Sequence, residues 1–168
     1  MPAAAADVLA ELESRGLRLA LAESLTGGLL ASEFIAVPGA SNVVLGSIVA
    51  YNSSLKSSLV GVSRTLIENE GVINPEVAVQ MAQGIRQKLA SACDLPLESV
   101  VGLSTTGVAG PDSQDGRAPG MVFIGLAASI RGIEDLRVVA LELSGTRDQI
   151  RSRVVAESVR ALAELLAG

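Results

Sequence analysis

Residues 18–37 read RLALAESLTGGLLASEFIAV and place a strand-like run directly before a helix-like run. Residues 18–22 predict a β-strand, whereas residues 27–37 form an apolar run that is typical of a helix and ends at a Pro-Gly pair. The two runs meet in a Thr-Gly-Gly turn. A strand that passes straight into a helix is characteristic of α/β proteins, so this stretch indicates the fold class.

Strands and helices continue to alternate along the rest of the chain. Further strands are predicted at 43–50, 100–105, 121–129 and 136–143, and further helices at 3–15, 54–60, 64–69, 74–92 and 146–167. The near-continuous apolar run at 43–50 favours a strand buried on both faces of the sheet. The short connection through Arg131 and Gly132 makes the last two strands an antiparallel hairpin. We expect a single domain over residues 1–168, a three-layer α/β/α sandwich around a mixed, mostly parallel sheet of about five strands.

The composition limits the partners and the location of the protein. The chain has 168 residues, of which 49% are hydrophobic and 2% aromatic, and its net charge is -5. A negative surface with few aromatic side chains does not suit a nucleic acid, so none is expected as a partner. No apolar run approaches the roughly 20 residues that cross a bilayer, and the acidic N-terminus lacks the basic start of a secretory signal. These features predict a cytoplasmic protein that does not bind membranes.

The low counts of cysteine and histidine limit the catalytic mechanisms that are possible. The chain has one cysteine, Cys93, and no histidine. Catalysis by Ser-His-Asp or Cys-His is therefore excluded, and so are zinc sites that use histidine. A hydrolase with this composition must rely on a carboxylate, a lysine, a tyrosine, or a metal held by oxygen ligands alone.

Ligands of such sheets bind beyond the C-terminal ends of the strands, which draws attention to Ser24 in the first turn. Its hydroxyl is exposed at a strand end, and the N–H groups of Gly27 and Gly28 at a helix start could stabilise an oxyanion. The chain lacks the G-x-S-x-G pattern of esterases. Serine is also a common turn residue, and Thr26 could cap the helix, so the residues alone leave Ser24 open between nucleophile and turn.

The segment YNSSLK, residues 51–56, follows the second predicted strand. A desolvated Lys56 could lose its proton and serve as a general base, and a Ser-Lys pair activates serine without histidine. The alternative is an ordinary solvated lysine. Tyr51 could assist the pair or simply end a strand.

A glycine-rich loop, TTGVAGPDSQDGRAPG, occupies residues 105–120. Thr106 and the loop amides could bind a phosphate or an amide, although the loop could equally be a flexible connection. Arg147 lies near a helix start, where the helix dipole favours acids, so it is either a ligand for an anion or a surface residue.

Five ordered motifs in this sequence together resemble the CinA C-terminal domain family. They are AES-x-TGG at 22–28, VPGAS at 37–41, Y-N-x-x-x-K at 51–56, TGVAGP at 106–111 and G-x-R at 145–147. The resemblance spans nearly the whole chain. It implies nicotinamide mononucleotide deamidase activity in pyridine nucleotide salvage, a Ser-Lys mechanism without metal or cofactor, and a homo-oligomer.

The resemblance also implies roles for individual residues. Ser24 matches the nucleophile and Lys56 the base, with Tyr51 assisting them. A second group is implied to bind substrate or order the site: Thr26, Gly27, Gly28, Thr106, Gly107 and Arg147.

The sequence departs from the family pattern at several positions. Leu25 stands where Cys is frequent, Asn74 stands where Ser is common, and APGMV at 118–122 replaces the usual PVGTV. The family's larger members carry a further N-terminal domain, and chemistry that belongs to that domain is not expected of residues 1–168. Two alternatives remain: a non-enzymatic partner module in competence or DNA-damage responses, and a hydrolase of the same fold that acts on another amide or a phosphate ester.

Overall fold

The computed structural model describes residues 4–168, which form five strands and six α-helices. In chain order these elements are α1 (Ala5–Ser14), β1 (Arg18–Glu23), α2 (Leu29–Ile35), β2 (Val44–Val49), α3 (Ser53–Ser58), α4 (Arg64–Glu70), α5 (Pro75–Ala92), β3 (Val100–Gly107), β4 (Met121–Ile130), β5 (Ile133–Glu142) and α6 (Arg147–Ala167). Short 3₁₀ turns, which the sequence did not predict, precede β2 and β3. The predicted start of the first helix, Ala3, lies outside the described residues.

The strands form one mixed sheet in the order β2-β1-β3-β4-β5. β1 pairs in parallel with β2 and with β3, while β4 is antiparallel to both β3 and β5. Four strands therefore run in one direction and β4 runs against them. The predicted fold class is confirmed.

Helices cover both faces of the sheet and produce the three layers. The helices α1, α2 and α6 pack on one face, and α5, with α3 and α4 beside it, packs on the other. Two glycines let α5 approach the strands closely. A Cβ at Gly102 would lie 2.0 Å from the Ala82 carbonyl oxygen, and one at Gly125 would lie 2.1 Å from the Ala78 carbonyl oxygen. Any larger residue at either position would force α5 away from the sheet.

The prediction that the strand at 43–50 is buried on both faces is wrong. β2 is an edge strand, and its residues are half-buried or exposed. An apolar run gives the hydrophobicity of a strand but not its place in the sheet. Since an edge strand has a neighbour on one side only, its side chains keep contact with solvent.

The hairpin and the helix caps agree with their sequence signals. Arg131 (φ 52°) and Gly132 (φ 79°) both have positive φ, as a two-residue type I′ turn requires. Thr146 and Gln149 form the reciprocal capping box at the start of α6. None of the helices within residues 4–168 is both long and apolar enough to span a bilayer.

Candidate active site

Ser24 follows the last residue of β1 at the C-terminal end of the parallel strands. Its backbone N–H donates to the Thr105 carbonyl oxygen at 3.1 Å, which extends the pairing with β3 by one residue. The side chain is nearly buried, at 7% exposure, and lines a cavity of about 390 Å³. The Ser24 side chain therefore borders the cavity but is largely shielded from bulk solvent.

Lys56 reaches Ser24 from the short helix α3. Its Nζ donates to Ser24 Oγ at 3.0 Å, to the Ala50 carbonyl oxygen at 2.8 Å and to the Tyr51 carbonyl oxygen at 3.5 Å. The side chain is 1% exposed. All three acceptors are neutral, so no carboxylate compensates the ammonium charge by direct contact.

Burial changes the acidity of this lysine. Loss of solvent lowers the pKa of Lys56 from 10.5 to about 8, and the negative charge of Asp115 opposes part of that decrease. A neutral amine has two N–H groups and one lone pair. The two carbonyls can accept both N–H groups, which leaves the lone pair for the Ser24 hydroxyl proton. The contacts of Lys56 thus suit a general base.

The turn after Ser24 uses its N–H groups internally. Gly27 N–H donates to the Ser24 carbonyl oxygen at 3.1 Å, and Gly28 N–H donates to Glu23 Oε2 at 2.9 Å. Thr26 is fully buried, and its hydroxyl is 2.9 Å from Thr105 Oγ1. None of Thr26, Gly27 and Gly28 lines the cavity. Their predicted substrate-binding role finds no support in these contacts.

Glu23 occupies the N–H groups at the start of α2, and the sequence analysis did not identify it. Its buried carboxylate accepts hydrogen bonds from the N–H groups of Gly28, Leu30 and Ala31 and from the Ser47 hydroxyl, at 2.9–3.1 Å. The carboxylate satisfies the free donors of α2 and its positive dipole end. A glutamate three residues before the Thr-Gly-Gly turn that precedes a helix was the available signal.

Arg151 of α6 is a second residue that the sequence did not reveal. Its Nε donates to the Leu25 carbonyl oxygen at 2.9 Å, and its Nη2 donates to the Thr26 carbonyl oxygen at 3.0 Å. Both bonds fix the peptide planes that follow Ser24. Since 126 residues separate Arg151 from Leu25, no local pattern could predict the contact.

Tyr51 and Arg147 both line the cavity and contact each other. Arg147 Nη2 donates to Tyr51 Oη at 3.1 Å, and Arg147 Nη1 donates to the Gly110 carbonyl oxygen at 2.6 Å. Tyr51 is 61% exposed. Its hydroxyl contacts Arg147 rather than Ser24 or Lys56, so the pair forms a polar wall of the cavity.

The glycine-rich loop supplies the remaining wall. Thr106 and Gly107 end β3 at the cavity, and the loop lines it as far as Gln114. The Thr106 hydroxyl donates to the Val72 carbonyl oxygen at 2.8 Å, and Val72 N–H donates to Asp115 Oδ2 at 3.2 Å. Thr106 therefore acts in these contacts as an anchor of the loop.

Six predicted site residues lie together at this cavity. The cavity is lined by five of them: Ser24, Tyr51, Thr106, Gly107 and Arg147. The sixth, Lys56, does not line the cavity but contacts Ser24. Within residues 4–168, no cluster of three or more Cys, Asp or Glu side chains is placed to hold a metal ion.

Comparisons with known proteins identify the family of the chain. A family model described as the CinA C-terminal domain matches residues 2–166. A competence-damage inducible protein of Geobacillus kaustophilus is 43% identical over 159 residues, which cover 95% of this chain and 36% of that protein. A CinA-like protein of Frankia casuarinae is 38% identical over 161 residues, which cover 96% and 34%. The chain thus spans about a third of the length of these relatives.

Solved structures share the fold. The competence/damage inducible protein of Agrobacterium tumefaciens has a TM-score of 0.84 at 25% identity, over 98% of this chain and 93% of that one. A CinA superfamily protein of Klebsiella pneumoniae has a TM-score of 0.81 at 23% identity, over 97% and 95%, and shows the likeness of fold alone.

Proposed function

Since the chain belongs to the CinA C-terminal domain family, we propose that it is an amidohydrolase that converts nicotinamide mononucleotide to nicotinate mononucleotide and ammonia. One observation carries the proposal. A nearly buried serine lies at the edge of a cavity, 3.0 Å from a buried lysine that contacts no carboxylate among residues 4–168. Such a pair is an established way to activate a serine without histidine.

The reaction runs in two halves. Neutral Lys56 takes the proton of Ser24 as Oγ attacks the carboxamide carbon, which gives a tetrahedral oxyanion. The C–N bond then breaks, and Lys56 returns the proton to the leaving nitrogen, which departs as ammonia. A water molecule, deprotonated by Lys56, attacks the resulting ester. The bond between the acyl carbon and Ser24 Oγ then breaks, Lys56 returns the proton to Oγ, and the carboxylic acid leaves. General base assistance of this kind contributes about 10² to 10⁴ in rate.

The Leu25 N–H is our candidate donor to the oxyanion. The Ser24 carbonyl oxygen accepts the Gly27 N–H inside the turn. Because a trans peptide is planar, the N–H of Leu25 points the opposite way from that carbonyl. Leu25 lines the cavity, and its N–H forms no hydrogen bond with the described residues. This donor replaces Gly27 and Gly28, whose N–H groups are already used.

The phosphate of the substrate needs a positive charge away from α2. Glu23 already occupies the start of that helix. Arg147 is the basic residue of the cavity lining. Its five donors exceed the two bonds described above, so it can contact an anion without losing them. We therefore propose that the carboxamide lies at Ser24 and that the phosphate lies towards Arg147.

The proposed reaction uses no metal and no cofactor, because Lys56 supplies the base and Leu25 the oxyanion donor. We assign it to pyridine nucleotide salvage in the cytoplasm. The single cysteine, Cys93, is exposed and unpaired, which is compatible with a reducing compartment. Prolonged chelation should leave the rate unchanged, and a loss of activity that a divalent ion restores would contradict the mechanism.

The test is ammonia release from nicotinamide mononucleotide. The wild-type protein should release ammonia and form the acid, and Ser24→Ala should abolish both while the circular dichroism spectrum stays unchanged. Ser91→Ala, at an exposed position on α5, is the matched control and should keep full activity. Wild-type turnover by Ser24→Ala would refute the nucleophile assignment.

A different amide is the second candidate substrate, because one departure from the family reaches the cavity wall. Within the APGMV segment, Pro119 lies so close to Gly110 that a Cβ there would be 3.0 Å from the proline ring. Gly110 lines the cavity. Product identification on a panel of amides separates the two substrates. A failure to hydrolyse any of them would favour the non-enzymatic module that the competence-damage names suggest.

A further inference from the structure

The strand β5 forms one edge of the sheet and carries apolar side chains that remain in solvent. It is ten residues long, and among the strands of residues 4–168 β4 is its only neighbour. Ile133 is 72% exposed, and Leu136 and Val138 are each 42% exposed. A long edge strand with exposed apolar residues is a template for pairing with another strand.

The hairpin geometry decides which backbone groups of β5 point outward. Ile130 and Ile133 are partners that flank the two-residue turn, so they face each other through their own N–H and C=O groups. Those groups point to alternate sides along a strand. Consequently Glu134, Leu136 and Val138 direct their N–H and C=O groups away from β4, and these groups have no backbone partner within residues 4–168.

The side chains of β5 divide between two faces of the sheet. Val139 and Leu141 are half-buried against the face that holds α6. Leu136 and Val138 lie on the opposite face, which α5 covers mainly over β3 and β4. Leu136 and Val138 therefore form an exposed apolar strip beyond the part of the sheet that α5 covers.

We propose that a second copy of this chain pairs with β5 in antiparallel fashion, with Leu136 opposite the partner's Leu136. A two-fold axis perpendicular to the sheet keeps each face on its own side, so residues of the same parity oppose each other. In this register Asp135 lies opposite the partner's Arg137, and Arg137 lies opposite the partner's Asp135. Leu136 from both copies then covers the strip at its centre.

Charge selects this register over its neighbours. Centring the pair on Arg137 would place Arg137 opposite itself, and centring it on Asp135 would place Asp135 opposite itself. Centring it on Val138 would place Glu134 opposite the partner's Glu142. Like charges directly opposite destabilise a sheet, whereas opposite charges stabilise it.

Asp135 and Arg137 already form an ion pair within one copy, in the position where the partner's pair would meet them. Arg137 Nη2 already contacts Asp135 Oδ2 at 2.7 Å within one strand. Two such pairs brought together form a square of alternating charges. The inference concerns the edge of the sheet and does not rest on the proposed function.

The test is a charge exchange followed by analytical ultracentrifugation. The wild-type chain should sediment as a dimer. Asp135→Arg alone and Arg137→Asp alone each create two like-charge contacts, so each should weaken self-association at least about tenfold. An equimolar mixture of the two variants restores both opposite-charge contacts, and the mixture should recover the dimer.

Two further variants separate this edge from other surfaces. Leu136→Lys should also weaken the dimer, because it places two ammonium groups opposite each other. Glu157→Arg, in an exposed ion pair on α6, is the control and should leave the dimer unchanged. A monomeric wild-type chain, single charge variants that stay dimeric, or a mixture that stays monomeric would each overturn the proposal.

Discussion

Lys56 and Arg86 are each only 1% exposed, but the protein treats their charges in opposite ways. Lys56 contacts a hydroxyl and two carbonyls at the C-terminal end of β1. Arg86 lies at the other end of the sheet, where its Nη1 donates to both carboxylate oxygens of Glu134 and its Nε donates to the Val100 carbonyl oxygen. In the described part of the chain, Arg86 therefore contacts a counter-ion directly and Lys56 does not.

The difference indicates which buried cation suits a catalytic role and which suits a structural role. A lysine without a carboxylate partner is close to releasing its proton, because desolvation has lowered its pKa to about 8. An arginine stays charged at all accessible pH values, and its planar group suits a carboxylate. Arg86 therefore joins α5 to β3 and β5, whereas Lys56 is the base of the proposed reaction.

Lys56→Arg should have the largest effect. Arginine keeps a positive charge but cannot release a proton, so kcat for the amide hydrolysis should fall at least about 100-fold. The measurement is ammonia release at saturating substrate. Lys88→Arg, at an exposed position on α5, is the control and should retain wild-type kcat. If Lys56→Arg keeps most of its activity, Lys56 is only an electrostatic anchor.

The pH dependence should show the same lysine. Only neutral Lys56 can accept the Ser24 proton, so the rate should rise with pH, about tenfold per unit, and level off above the pKa of about 8. A pH–rate profile between about 6 and 10 measures this limb. A rate that falls as the pH rises through 8 would contradict a neutral lysine base.

Arg86→Lys should affect stability and leave the chemistry intact. A lysine can keep the Glu134 contact or the Val100 contact but not the whole fork, so the free energy of unfolding should fall by about 1–3 kcal/mol. Urea denaturation measures it. Arg160→Lys, in an exposed pair on α6, is the control and should leave it unchanged. A large loss of kcat in folded Arg86→Lys would refute the structural role.

Asp115→Asn should have the smallest effect. The charge of Asp115 raises the pKa of Lys56, so its removal should lower that pKa and move the rising limb of the pH–rate profile to lower pH. Asparagine tolerates the positive φ of this position and can still accept from Val72 N–H. Asp94→Asn, also at positive φ, should not move the limb. A shift to higher pH would contradict the assigned sign.

The sequence predicted the elements well because their signals are local. The glycine turn, the two-residue hairpin and the capping box each depend on a few consecutive residues, and all three are present. The position of β2 at the edge could not be predicted in this way. Strand order depends on which strands pair, and hydrophobicity within one strand does not encode its neighbours.

The residues of the candidate site likewise divide into those that local motifs identified and those that depend on the tertiary fold. Motifs identified Ser24 and Lys56, and the fold brings their side chains to 3.0 Å. Motifs also pointed to Gly27 and Gly28 as donors, but those N–H groups are used inside the turn. Arg151 was missed because its contact with Leu25 exists only after α6 packs against the turn.

The burial of Lys56 also has an evolutionary consequence. Below pH 8 this lysine is charged in both the folded and the unfolded chain, and the lowered folded pKa corresponds to a destabilisation of about 3 kcal/mol, which disappears as the pH rises towards 10.5. Domains of this size are stable by only about 5–15 kcal/mol. A lineage that no longer needed the base would gain stability by replacing it with an apolar residue. A buried lysine without a counter-ion is therefore a position that selection for stability alone would not retain.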